Sequence, residues 1–341
     1  MKRRLIVNVN WLGDVLFSTP VIRAVSRKFP DAFISCMLVR RCKEILEGNP
    51  YLNELIIYDE EGKHASLLGK LQFISLLRSK KFDEVYLLHR SLTRTLLTAL
   101  AKIPVRCGYV TKKRRLFLTE RIELPAGDLH RVEYFLNLAR ELGMPADKLG
   151  YDFFISPEDK NYIDNFLEKA GIGESDSFVV LNPGANWLLK RWPTINFAKV
   201  GEAIVKDFGL KVVITGAEKD LELAVDIAKH MQERPIIACG KTTLKQLGAL
   251  LKRAGLMITN DTGPLHIGLA VGVKVVALFG PTSSRITGPY GPGEYRVIQK
   301  DVGCAVPCYH LKCVDNRCMK AITPEEVLKE VEWLLRNNAT K

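Results

Sequence analysis

The sequence predicts an α/β protein built as two doubly wound parallel sheets facing each other across a cleft. Three observations carry that prediction. Short apolar runs alternate with helical periodicity along most of the chain, the βα order that builds parallel sheets covered on both faces. The alternation pauses at the polar stretch 171–177 and then restarts. The length, 341 residues with 47% hydrophobic and 26% charged content, is about two domains' worth of packed chain. The expected division is residues 1–170, residues 171–322 and a closing helical segment, 323–341.

In the first half, strands are expected over 4–10, 33–39, 54–58, 84–89 and 106–109. Helices are expected over 15–28, 41–47, 67–79, 92–101 and 131–142, with a bridging helix over 157–170. The first βα turn is Trp11-Leu12-Gly13-Asp14. Asp14 therefore sits at a strand's carboxyl end, just before a helix. It can act as a helix N-cap or as a carboxylate held over the cleft, with Gly13 letting a ligand approach the backbone. A dinucleotide-binding first turn would carry GxGxxG, not an acid, beside a pyrophosphate.

The second half reads strand 178–182, loop 183–193, helix 194–208, strand 211–215, helix 218–230, strand 236–238 and helix 243–253. Its densest stretch is 256–291, LMITNDTGPLHIGLAVGVKVVALFGPTSSRITGPYG. There a strand ends in the turn Asn260-Asp261-Thr262-Gly263, and a helix opens at Pro264. A second buried strand, 273–279, follows and runs into a Gly/Pro-rich loop. Ligands of open parallel sheets bind outside the carboxyl ends of the strands, and helix N-termini favour anions. Asp261, Thr262, Gly263 and His266 are thus candidates for holding a phosphorylated ligand; the plainer alternative is a capped helix with a packed histidine. The loop PGANWLLKRWP supplies Lys190 between Trp187 and Trp192, a fixed charge able to neutralise a departing diphosphate, or else a solvated surface lysine. Glu218, after a strand and Gly216-Ala217, can accept ribose hydroxyls or complement a helix dipole. A last amphipathic helix over 324–337 carries a capping box, Thr323 with Glu326.

Fifty Lys and Arg against 38 Asp and Glu give a net charge of +12. Basic clusters at Lys2-Arg3-Arg4, 78–81 and 112–115 all lie in the first third, while no nucleic-acid-binding module accompanies them. An anionic acceptor or membrane surface is the expected partner, and nucleic acid is not. The basic N-terminus lacks a signal-peptide core because Asn8, Asn10 and Asp14 interrupt it. No apolar run reaches membrane-spanning length. A soluble cytoplasmic protein, peripheral to the membrane, is the expectation. Four of eight cysteines crowd together as Cys304, Cys308, Cys313 and Cys318. They can hold a structural zinc or an iron–sulfur cluster, form two local disulfides, or remain free thiols.

Together the segments GDVLFSTPVIRAV (13–25), NPGANWLLKRWP (182–193), ITGAE (214–218) and TNDTGPLHIGLAVGVKVVALFGPTS (259–283) resemble the ADP-heptose:lipopolysaccharide heptosyltransferases, glycosyltransferase family 9. FGPTS and the tail ending CMKAITPEEVL look like the heptosyltransferase II branch. The resemblance implies a GT-B fold of two Rossmann-like domains, acceptor-binding first and nucleotide-sugar-binding second. It implies an inverting transfer from ADP-heptose to a heptose or Kdo of the lipid A-linked inner core at the membrane surface, with no cofactor required for the chemistry. Carried onto this chain, Asp14 is the general base and Lys190 balances the departing ADP. Asp261 holds heptose hydroxyls, Thr262, Gly263 and His266 contact the phosphates, and Glu218 holds the ribose. Where related members have a hydroxyl residue in the second loop, this chain has Ala185 and Asn186, and Asn186 is the donor contact expected there. Acceptor-binding residues are not legible. The alternatives are a GT-B transferase with another nucleotide sugar, a nicotinamide-dependent oxidoreductase, against which both missing GxGxxG motifs speak, and a non-catalytic polyanion-binding protein.

Overall fold

Strand β1 (Arg3–Val7) is buried from Arg4 inward, and α1 (Leu12–Lys28) follows a short polar turn. The chain continues through β2 (Phe33–Leu38), α2 (Lys43–Leu46), β3 (Glu54–Ile57), α3 (Leu67–Ser79), β4 (Glu84–Leu87), α4 (Leu92–Leu100), β5 (Val105–Tyr109), β6 (Glu120–Ile122) and α5 (Arg131–Glu141). These strands form one parallel sheet in the order β3-β2-β1-β4-β5-β6. A second series opens with α6 (Pro157–Lys169) and β7 (Phe178–Asn182). It runs on through α7 (Thr194–Phe208), β8 (Lys211–Ile214), α8 (Leu221–Lys229), β9 (Ile236–Ile237), α9 (Leu244–Arg253), β10 (Leu256–Asn260) and α10 (Gly263–Val271). It closes with β11 (Lys274–Phe279), α11 (Ser284–Thr287), β12 (Tyr295–Gln299), α12 (Arg317–Lys320) and α13 (Pro324–Arg336). Its parallel sheet has the order β12-β11-β10-β7-β8-β9. This computed structural model describes residues 1–147, 149–310 and 312–336.

Counted from its own first strand, each sheet has the doubly wound order 3-2-1-4-5-6. Successive connections therefore leave in opposite directions on either side of that strand and open a crevice at its carboxyl end. The two crevices lie between β1 and β4 and between β7 and β10. The segments singled out by sequence, around Asp14 and Asp261, follow β1 and β10.

The compact units are Met1–Phe154 and the chain from Ile155 onward. The expected boundary at 170 moves back, because α6 packs on α9 of the second unit. Nor does α13, the described part of the expected closing segment 323–341, stand apart. Val327, Val331 and Leu334, spaced to share one helix face, are fully buried in the same core as Leu256, Ile258, Val276 and Leu278. The expected capping box is present: Thr323 N–H donates to Glu326 Oε2 at 3.1 Å and Glu326 N–H to Thr323 Oγ1 at 3.3 Å. Asn337, the expected last residue of this helix, lies outside the described residues. In the first unit, Leu5, Val7, Met37, Val85 and Leu87 form a core with Phe73, Ile74 and Leu77 of α3.

Two edge strands, β6 and β12, were not predicted. β6 has only three residues, two of them exposed and charged, and β12 has no fully buried position, so neither writes an apolar run. The helix after β1 also begins earlier than expected, at Leu12 rather than residue 15. Among the described residues, no helix is long and apolar enough to cross a membrane.

Candidate active site

In the second unit the site is built from loops at the carboxyl ends of β7, β8, β10 and β11. The loop after β7 is pinned before it reaches its charged tip. Asn260, the last residue of β10, donates from Nδ2 to Pro183 O at 2.8 Å and accepts from Trp192 N–H at 3.2 Å. The Trp192 ring is buried, packs edge-on against Phe197 and donates its indole N–H to Ile322 O at 2.9 Å. Arg191 donates from Nε to Ala185 O at 2.9 Å and pairs with buried Asp220 at 3.4 Å. Gly184 is required here: a Cβ would stand 2.6 Å from the Asp220 carboxylate.

This framework delivers Lys190 from the end of a single 3₁₀ turn, Leu188–Lys190. Its Nζ lies 2.6 Å from Asp261 Oδ2, and Thr282 Oγ1 donates to the same oxygen at 2.6 Å. Asp261 is only 5% exposed, so its charge is held by two donors away from bulk water. It caps nothing. Thr262 is the N-cap residue of α10, without a side-chain cap bond, and Gly263 and Pro264 form the first helical positions. Asn182, at the end of β7, donates from Nδ2 to Thr259 Oγ1 at 3.2 Å and to Thr262 Oγ1 at 3.4 Å. His266, one turn into α10, is buried.

The structure thus brings Lys190, Asp261 and Thr262 together at the β7/β10 crevice. Asn186 is exposed and accepts from Lys219 Nζ at 2.5 Å. Glu218 begins the 3₁₀ turn after β8 and is also exposed, with Gly240 packed so closely that a Cβ there would meet Glu218 Cα at 3.2 Å. Sequence reasoning missed Thr282 and Asp220, and it took Arg191 with Lys190 as loop charge without its partner. Thr282 looked like one more polar residue of a Gly/Pro-rich loop, and the Arg191–Asp220 pair carries no local signature.

In the first unit, Asp14 is the third residue of α1, behind the N-cap residue Trp11. It is not an N-cap. Arg131 Nε lies 3.6 Å from Asp14 Oδ1, with Asp14 about one-fifth exposed. Around it the crevice between β1 and β4 is rich in arginine. Arg94, buried on α4, donates to Asn8 O at 2.6 Å and Asn10 Oδ1 at 2.5 Å and pairs with Glu60 at 3.1 Å. Arg114 is wholly buried and donates to His89 O at 2.7 Å. Its Nε and Nη2 find no hydrogen-bond partner among the described residues. Burial holds its pKa down, to about 10. The guanidinium groups of Arg90 and Arg131 lie 5.9 and 5.6 Å from the ring centre of Tyr134. Arg114 was marked in the sequence only as part of the basic run 112–115; Arg90, Arg94 and Arg131 were not singled out, because they come from separate elements and meet only in the fold.

The four clustered cysteines lie in the second unit along the segment after β12, all as free thiols. Among the described residues, no three His, Cys, Asp or Glu side chains are gathered as a metal-binding set.

Comparison with known proteins places this geometry. The profile of "Glycosyltransferase family 9 (heptosyltransferase)" matches residues 70–318. The chain is 28% identical to lipopolysaccharide heptosyltransferase 2 of Escherichia coli K12, across 97% of this chain and 98% of that protein. It is 29% identical to lipopolysaccharide heptosyltransferase 3 of the same strain, across 96% of each. A crystal structure of a family 9 glycosyl transferase from Veillonella parvula superposes with a TM-score of 0.90 at 29% identity, covering 98% of both chains. The E. coli ADP-heptose heptosyltransferase II structure matches with a TM-score of 0.81 at 27% identity over the whole of both chains. The fold is that of a GT-B glycosyltransferase. The chain belongs to glycosyltransferase family 9, the heptosyltransferases.

Proposed function

We propose that the enzyme transfers L-glycero-D-manno-heptose from ADP-heptose, with inversion, to a heptose or Kdo of the lipopolysaccharide inner core. The observation that carries this reading is the Lys190–Asp261–Thr282 cluster at a sheet switch point. A free sugar donor needs no cation beside it, whereas a nucleotide diphosphate does. As ADP departs, Lys190 takes up the growing negative charge, in the place a divalent ion would otherwise fill. Released from Lys190, one Asp261 oxygen accepts heptose hydroxyls while Thr282 keeps the carboxylate oriented. Thr262, Gly263 and His266, at the opening of α10, serve the phosphates, Glu218 the ribose, and Asn186 the donor on the loop side.

Asp14 is the general base. A sugar hydroxyl is a poor nucleophile, so a carboxylate must take its proton as the bond to the anomeric carbon forms. Arg131, its Nε 3.6 Å from Asp14 Oδ1, helps orient the carboxylate. Arg90 and Arg131 flanking Tyr134 are the acceptor's anion contacts, suited to the carboxylate or phosphate groups of an inner core. The basic excess of the chain supports work at an anionic surface, on the cytoplasmic face of the membrane.

The test is ADP release from ADP-heptose by purified enzyme, with and without an inner-core acceptor, beside Asp14→Asn. Acceptor-dependent release that vanishes in the variant supports both reaction and base. Release from ADP-glucose instead of ADP-heptose would overturn the donor assignment.

A further inference from the structure

The eight cysteines fall into two populations. Cys36, Cys42, Cys107 and Cys239 are buried singly, and desolvation pushes each thiol up, Cys42 and Cys239 to about 11. They behave as small core residues. Cys304, Cys308, Cys313 and Cys318 are exposed or half-buried. They come from the irregular stretch between β12 and α12 and from α12 itself. An irregular connection of this length is uncommon unless something organises it.

All four thiol-bearing residues line one cavity of about 380 Å³, together with apolar groups such as Pro281, Val302 and Val306 and with charged and polar ones. Cys313 Sγ accepts a backbone N–H from Asn316 at 3.4 Å, the contact that commonly steadies a metal-bound thiolate. Cys318 Sγ lies against Gly280, where a Cβ would meet it at 3.2 Å. Lys300, Lys312 and Arg317 line the same cavity and offset excess negative charge.

We propose that Cys304, Cys308, Cys313 and Cys318 bind one thiophilic metal ion, zinc or iron, in a tetrahedral four-sulfur site. The thiols line the cavity without converging on one point, so binding draws the connection inward, and local folding is coupled to metal uptake. The ion acts structurally. The Cys308 N–H already donates to Pro281 O at 2.7 Å, and the next residue, Thr282, holds Asp261. Leu189, the neighbour of Lys190, lines the cavity from the other side. Closing the site braces both loops that carry the Lys190–Asp261 pair.

Elemental analysis of full-length protein purified without chelator, from zinc- and from iron-supplemented cultures, is the direct test. The expected result is about one metal ion per chain, as four-coordinate structural sites hold. Cobalt substitution should give the intense visible bands and sulfur-to-metal charge transfer of tetrahedral thiolate ligation. In Cys304→Ser/Cys313→Ser the metal content should fall at least tenfold. Should that variant fail to fold, the exposed single substitution Cys304→Ser keeps the question answerable, because it must shift the cobalt spectrum. Protein that takes up no metal from either culture overturns the proposal. So does full metal content in the double variant, or a cobalt spectrum insensitive to Cys304.

Discussion

The two switch-point crevices use charge in opposite ways. In the second unit, the cations are matched one to one: Lys190 with Asp261 at 2.6 Å and Arg191 with Asp220 at 3.4 Å. In the first, Arg90, Arg94, Arg114 and Arg131 outnumber Asp14 and Glu60, and Arg114 is buried with two nitrogens lacking hydrogen-bond partners among the described residues. A matched pair costs little to keep in the free enzyme and can be opened by a ligand that offers each partner something better. On the proposed roles, a diphosphate would do that for Lys190 and sugar hydroxyls for Asp261. An unmatched excess of cations stores attraction for an anion that has yet to arrive. The first arrangement suits a donor bearing both charge and hydroxyls, the second an acceptor rich in carboxylate and phosphate.

The two carboxylates differ in the same sense. Asp261 is nearly sealed and held by two donors, whereas Asp14 is about one-fifth exposed at the opening of α1, with Arg131 Nε 3.6 Å from its Oδ1. A base must give its oxygen to the incoming proton, and Asp14 is the one placed to do so. Asp14→Asn should therefore have the largest effect, lowering turnover by roughly 10²–10⁴-fold, the usual worth of a general base. ADP affinity by calorimetry should stay within about twofold, since the change lies outside the donor loops. Wild-type turnover in the variant would end the assignment. Lys190→Ala comes next. It should reduce turnover by about 10²-fold, in the range of a lost transition-state charge contact. It should weaken ADP binding as well, which separates it from Asp14→Asn; unchanged ADP affinity would break the contrast between the crevices.

What the sequence made legible follows from how local each signal is. Asp261-Thr262-Gly263-Pro264 announces itself because turn chemistry, a helix opening and a strand end coincide within a few residues. Lys190 was legible through its loop, framed by Trp187 and Trp192. The partner that orients Asp261, Thr282, was not, since the contact joins the ends of two parallel strands and leaves no trace in spacing. The arginines of the first crevice are a stronger case. Arg94 and Arg131 lie on helices where periodicity gives the face but not what the face meets, and Arg114 sits in a basic run that reads as an exposed surface, solvated or facing an anionic acceptor or membrane. Its complete burial is a tertiary fact. The same reasoning explains β6 and β12, edge strands whose partial exposure removes the apolar run by which a strand is recognised.

Arg131→Gln and Arg90→Gln sharpen the cation-excess side of the comparison. Each should raise the KM for acceptor by about tenfold, the worth of one partly exposed charge-assisted hydrogen bond. The KM for ADP-heptose should hold steady, and the loss of rate with added salt should become shallower. A donor-KM change equal to the acceptor-KM change would erase the division of labour.

The smallest effect expected is on stability, and it reads the same cation excess through His89. This residue follows β4, and its Nδ1 accepts the Ser91 N–H at 3.0 Å at the entrance to α4. Burial lowers its pKa from 6.5 to about 4, helped by Arg94, Arg114 and Arg90 and opposed by Glu60. The folded chain thus keeps His89 neutral while the unfolded chain protonates it near pH 6.5. As the pH falls from 6.5 toward 4 the unfolded state binds the extra proton and native stability declines; below about 4 the folded form is protonated too and this contribution levels off. In His89→Asn, which retains a side-chain acceptor for Ser91, the urea midpoint should fall less steeply across that window than in the wild type. Curves that stay parallel between the two proteins would mean that neither burial nor the neighbouring arginines hold His89 neutral in the folded chain.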